Sequence, residues 1–150
     1  MSLDYEKYEK ECEKIRKSNE KLLNQFEDWL AKKEIKQTTI NKHAENIDFY
    51  INDFLLYEDT YKPEDGVLDA NMFLGYWFIR KAMWASESSI KSNASSLKKF
   101  YTFMCEMGRV DEEDVEELKI IIKENMSEWL NRLRRYDNPD ITEMEDVWKF

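Results

Sequence analysis

Residues 86–100 read SESSIKSNASSLKKF: six serines, three lysines and a single acid, Glu87. That mixture suits phosphate recognition. Serine hydroxyls donate to phosphate oxygens and lysines neutralise phosphate charge, which positions a protein on a polyanion without reading base sequence. The spacing assigns these groups to one side of a helix. Ile90, Ala94, Leu97, Tyr101 and Met104 recur at steps of three and four, the stripe that a helix buries. At about 100° per residue, Ser88, Ser92, Ser95 and Lys99 fall on the opposite side, with Lys91 and Thr102 flanking them. Asn93 lies between the faces, where its amide can reach a base edge or a phosphate. The same pattern also describes an ordinary solvated helix face, with Ser86 or Ser88 acting only as a cap.

A second group lies further upstream. Lys36, Thr38, Thr39 and Lys42 form a basic, hydroxylated start to a helix whose stripe is Ile40, Ala44, Ile47, Ile51 and Phe54, running to about Leu56. Thr38 or Thr39 suits its N-cap, and free backbone N–H groups there favour an anion. Glu45, Asp48 and Asp53 follow, so only the N-terminal end of this helix suits a phosphate.

Other chemistry finds no footing. Carboxylates are numerous, but none sits in an apolar setting that would tune it as a general acid. One histidine, His43, and two distant cysteines, Cys12 and Cys105, do not make a metal site. His43, near the apolar edge of its helix, reads as a packed structural residue. There is no glycine-rich phosphate loop. No catalytic residue, cofactor or metal is expected.

The elements that must carry these groups are helices. Three glycines and two prolines leave few turns, and twenty-one aromatic side chains supply a core. Tyr5, Tyr8, Cys12, Ile15, Asn19, Leu22, Phe26 and Trp29 form a heptad-like seam with one polar interruption. It reads as one long helix, or two broken near Ser18–Asn19, packed on its own domain, or else as a short dimerising coiled coil. Asp69 can cap a helix over 70–84 that is apolar nearly all round, with Gly75 allowing close approach and Trp77 and Trp84 in the core. The serine-rich helix runs to Met107, with Gly108 as its C′ residue. Asp111 caps a fifth helix with the stripe Val115, Leu118, Ile122, Met126, Trp129 and Leu133. After Asn138-Pro139 one more helical turn is expected.

The net charge is −9, which disfavours nucleic acid as a partner. Much of it is concentrated in residues 110–150, where thirteen acids face six bases. Over 80–99 the balance reverses: Arg80, Lys81, Lys91, Lys98 and Lys99 oppose Glu87 alone. No apolar run approaches the roughly 20 residues a membrane span needs, the N-terminus is charged throughout, and two isolated cysteines suit a reducing, cytoplasmic setting.

In combination, FEDWLAKKEIKQTTINKHAENIDFYINDFL (26–55), DANMFLGYWF (69–78) and SSIKSNASSLKKFYTFMCEMGRV (88–110) resemble the N-terminal SAM-like, or core-binding, domain of phage integrases and other tyrosine recombinases. The resemblance covers roughly residues 18–128. It implies a compact all-α bundle of about five helices, expected here over 18–136, and a helical extension at 1–17 and an acidic tail at 137–150 lie outside it. It implies a clamp on duplex DNA, used in DNA integration and recombination, with the second and fourth helices facing groove and backbone. The arginines, lysine, histidines and tyrosine nucleophile of the family's catalytic half have no counterpart here. The expectation is a non-catalytic DNA-binding protein, acting beside a recombinase catalytic partner or as one half of something larger. The rival expectation is a protein-interaction module that kept the fold and lost DNA, self-associating through residues 5–29.

Overall fold

The three-and-four spacing of apolar residues carries the chain through six helices. A computed structural model describes residues 3–141 and 143–148, and among these the structure is all-helical, with no strand. Helix α1 spans Leu3–Lys32, and α2 spans Gln37–Asp48 and continues as a π turn over Phe49–Phe54. A short 3-10 turn at Pro63–Gly66 leads to α3, in which Ala70–Met72, a π turn at Phe73–Trp77 and Phe78–Lys81 run on from one another. Then come α4 (Glu87–Glu106), α5 (Glu112–Asp137) and the single turn α6 (Met144–Val147).

The seam of α1 is used up inside the chain. Cys12, Ile15, Asn19, Leu22, Phe26 and Leu30 are all buried. Cys12 and Ile15 pack on Leu56, and the Tyr8 hydroxyl donates to the Leu56 carbonyl. Asn19, the polar interruption, donates to Asn52 Oδ1 at 2.8 Å, so its amide is satisfied by the following helix. From Cys12 to Phe26 the stripe expected to face a second copy through residues 5–29 therefore already faces α2, its π turn and α4, and Tyr5 of the seam is exposed. Helix α1 also crosses the expected 17/18 boundary without a break.

Helix α4 lies between α2 and α5 and forms the axis of the bundle. Its stripe of Ile90, Ala94, Leu97, Tyr101 and Met104 is buried as the spacing requires. Phe26 of α1 meets Phe100 edge-on at 5.3 Å and Phe103 at 5.5 Å, aromatic pairs worth about 0.5–1.5 kcal/mol each beyond their buried area. Gly75 lets α3 touch α5. A Cβ there would sit 2.7 Å from the Trp129 ring and 2.8 Å from the Arg132 guanidinium. Trp129 Nε1 donates to Asn71 Oδ1 at 2.8 Å, and Arg132 Nη1 to the Gly75 carbonyl at 3.3 Å, so both large side chains are tied to α3.

Helix ends differ from expectation in two places. Lys36, with extended backbone, occupies the N-cap of α2, so Thr38 and Thr39 stand exposed in its first turn. The third helix stops at Lys81, because Ala82 turns to ψ 113°. That leaves Met83 99% and Trp84 56% exposed in the turn to α4, so Trp84 is no core residue, although its ring still lies 5.1 Å from Phe49. Gly108 takes φ +74° after α4 as expected, whereas α1 closes through Glu34 at φ +61°, a left-handed position where glycine is the easier fit.

Candidate nucleic-acid interface

The serines of α4 divide into two sets with different tasks. Ser86 caps the helix: its Oγ accepts from Ser89 N at 3.0 Å, and Ser89 Oγ accepts from Ser86 N at 2.8 Å. Ser92 and Ser96 face α2. Asn46 Nδ2 donates to Ser92 Oγ at 3.0 Å and to Ser96 Oγ at 2.9 Å, and His43 Nδ1 lies 2.8 Å from Ser96 Oγ. Ser96 Oγ donates to the Ser92 carbonyl at 3.1 Å, which the Nδ1–H tautomer of His43 complements. Small hydroxyl side chains thus let two helices approach and satisfy a buried polar cluster between them. Burial lowers the pKa of His43, and the nearby Lys99 charge lowers it further, which favours a neutral imidazole.

Two sequence-selected residues are therefore corrected. Asn93 is 3% exposed and donates to the Ser89 carbonyl at 2.8 Å, so its amide is committed within α4 rather than offered to a base edge. Ser92 is half-buried and engaged by Asn46, so it belongs to the α2 contact. Ser88, Lys91, Ser95 and Lys99 remain exposed, as do Lys36, Thr38, Thr39 and Lys42. The pairings Asn46–Ser92 and His43–Ser96 make α2 and α4 antiparallel, and that register sets the start of α2 beside Lys99. Lys42 lies toward the other end, in a cleft of about 270 Å³ with Glu45, Asn46, Asn93 and Trp84.

The other flank of the ridge carries residues that sequence reasoning passed over. A groove of about 440 Å³ between α4 and α5 is lined by Lys98, Lys119, Lys123, Ile122 and Met126, with no carboxylate among them. Lys119 has one partner on its own helix, Glu116 at 3.3 Å. The only acid at the start of α4, Glu87, is paired with Arg134 of α5. The signal was present in the sequence: Lys119 and Lys123 are four apart, and each neighbours a stripe residue, Leu118 and Ile122. It was masked by the surrounding acids of 111–128, of which Glu116 pairs with Lys119 and Glu128 with Arg132 and Arg135. On α4, Lys91, Ser95, Lys98 and Lys99 share an exposed face, and Lys98 joins that face to Lys119 and Lys123 in the groove.

Among the described residues no cluster of histidine, cysteine and carboxylate could hold a metal ion, and no helix is long and apolar enough to cross a membrane. Cys12 and Cys105 are free thiols. Comparison with family models, with curated proteins and with solved structures gave no match in any of the three. The functional reading rests on the geometry above.

Proposed function

We propose that this chain is a non-catalytic binder of duplex DNA, holding the phosphate backbone with the exposed band of α4 and the lysine groove it shares with α5. One observation carries the reading: in a chain of net charge −9, the α4/α5 groove is lined by three lysines and no carboxylate. The start of α2, with Lys36, Thr38 and Thr39, extends the contact past Lys99. The SAM-like, core-binding resemblance to tyrosine recombinases supports the same surface and suggests that the chain acts beside a catalytic recombinase partner in DNA integration. With Asn93 and Ser92 committed inside the fold, the contact is to phosphates, and base discrimination is weak.

Titration against duplex DNA at two salt concentrations tests this. Each phosphate neutralised contributes about −0.9 to the slope of log K against log salt, so four to five engaged lysines give a slope of about −4. Lys91→Glu with Lys99→Glu abolishes measurable binding while helicity is retained. Absent or salt-insensitive binding refutes the proposal.

A further inference from the structure

The two π turns pack against each other, and a groove of about 460 Å³ opens beside them, sharing no residue with the lysine band. Phe54 of the first turn lies 5.0 Å from Phe73 and 5.3 Å from Trp77 of the second. Wide turns of this kind are uncommon and concentrate at functional sites. Five aromatic side chains line the groove: Phe54, Tyr57, Tyr61, Tyr76 and Trp77. Tyr57 and Tyr61 are exposed at its rim.

Its polar lining is acidic. Glu58, Asp59 and Asp69 contribute carboxylates, and no lysine or arginine lines the groove. None of the three forms an ion pair among the described residues. Asp69 is half-buried, and burial together with the neighbouring Asp65 raises its carboxyl from its ordinary value. Two of the rings already hold cations of the chain itself, since Lys81 Nζ donates to the Tyr57 hydroxyl at 2.9 Å and Arg80 Nη1 donates to the Tyr76 hydroxyl. Lys81 Nζ lies 4.9 Å from the Tyr57 centroid, and Arg80 lies 5.3 Å from that of Tyr76.

Aromatic faces within about 6 Å of a cation attract it through the ring quadrupole, and unpaired carboxylates add charge and hydrogen-bond acceptors. We infer that this groove docks a basic segment of a protein partner, seating an arginine or lysine side chain among the rings and over the Asp69 carboxylate. The volume lies within the about 300–1,000 Å³ of ligand clefts, ample for a side chain. The acidic bulk of the molecule draws such a segment in, and the aromatic walls select where it settles.

The test is calorimetric titration of the full chain with a dodecapeptide of alternating glycine and arginine. The expected result is saturable binding that weakens at least tenfold in Tyr61→Ala and in Asp69→Asn, and also when citrulline replaces arginine. Glu117→Gln with Glu124→Gln, acids outside the groove, should leave the affinity unchanged. Tyr61 is exposed at 47%, so its variant is expected to fold even if that at Asp69 does not. No saturable binding up to millimolar peptide overturns the inference. So does an equal loss in the Glu117 and Glu124 variant, which would mark diffuse attraction to a net-negative surface.

Discussion

Two open grooves of similar size run between neighbouring helices, one between α1 and α2 and one between α4 and α5. The first, about 340 Å³, is lined by Glu20, Glu27, Glu45 and Asp48 with no base. The second, about 440 Å³, has Lys98, Lys119 and Lys123 with no acid. Both are bordered by residues at the edges of buried stripes, so the packing is alike and the edge positions alone set the sign. A net charge of −9 therefore says little about which anion or cation a given face will meet. The largest expected effect follows from this contrast. Reversing Lys98, Lys119 and Lys123 to glutamate should, like the Lys91 and Lys99 pair, abolish measurable duplex binding at fixed salt, because three neutralised phosphates are lost and three repulsions added. Neutralising Glu20, Glu27, Glu45 and Asp48 should change it by no more than about threefold, since screening at the Debye length of about 8–10 Å isolates distant exposed charges. Comparable losses from the two sets, measured by the same titration, would erase the distinction between the grooves.

A contrast of the same kind exists within one helix. Ser92 and Ser96 are bound to α2, whereas Ser88 and Ser95 look outward. Ser96→Val removes the partner that Asn46 and His43 share and leaves buried polar groups unpaired, at about 1–3 kcal/mol of stability by chemical denaturation. Ser95→Ala should shift stability by less than about 0.5 kcal/mol, as for exposed positions generally, and weaken DNA binding only slightly. Gly75→Ala gives a reference for pure packing: its new methyl meets Trp129 and Arg132 below 3 Å, an overpacking cost of about 1–3 kcal/mol with no change in either groove's charge.

Periodicity made the helices legible, including the buried stripes of α4 and α5, the cap at Ser86 and the turn at Gly108. It fails where helices meet each other. An angle on a wheel separates inward from outward, but α4 has neighbours on two sides, so Ser92 falls against α2 although its angle points away from the main stripe, and Asn93, at an intermediate angle, is buried and held by Ser89 of its own helix. Lys119 and Lys123 were hidden for the converse reason: summed charge over 110–150 averages residues that a helix sends in opposite directions. The π turns at Phe49–Phe54 and Phe73–Trp77 have no composition that announces them, and the aromatic groove beside them arises only from their meeting. The heptad-like seam favoured packing on its own domain but left a partner from another chain open, and the contact that occupies its middle, Cys12 and Ile15 on Leu56, joins residues more than forty positions apart.

The smallest effect concerns pH and the α2–α4 contact alone. In the folded chain His43 faces Ser96 and Asn46, feels Lys99, and titrates below its ordinary 6.5. The unfolded chain therefore takes up a proton first as the solution is acidified. Stability present above pH 6.5 is lost as pH falls from there toward the depressed folded value. Asp53 and Asp69 have raised values and contribute with the opposite sign, their stabilisation lost as pH rises from 3.8 through their folded values. Comparing wild type with His43→Gln cancels those carboxylates. The variant should lose part of the difference in stability between pH 7.5 and pH 5.5, read as denaturation midpoints at each pH, while Lys91→Glu, outside the polar cluster, should retain all of it. An unchanged slope in His43→Gln would mean that the imidazole is as well solvated as in the open chain, and the buried polar contact between α2 and α4 would then have to be looser than its hydrogen bonds indicate.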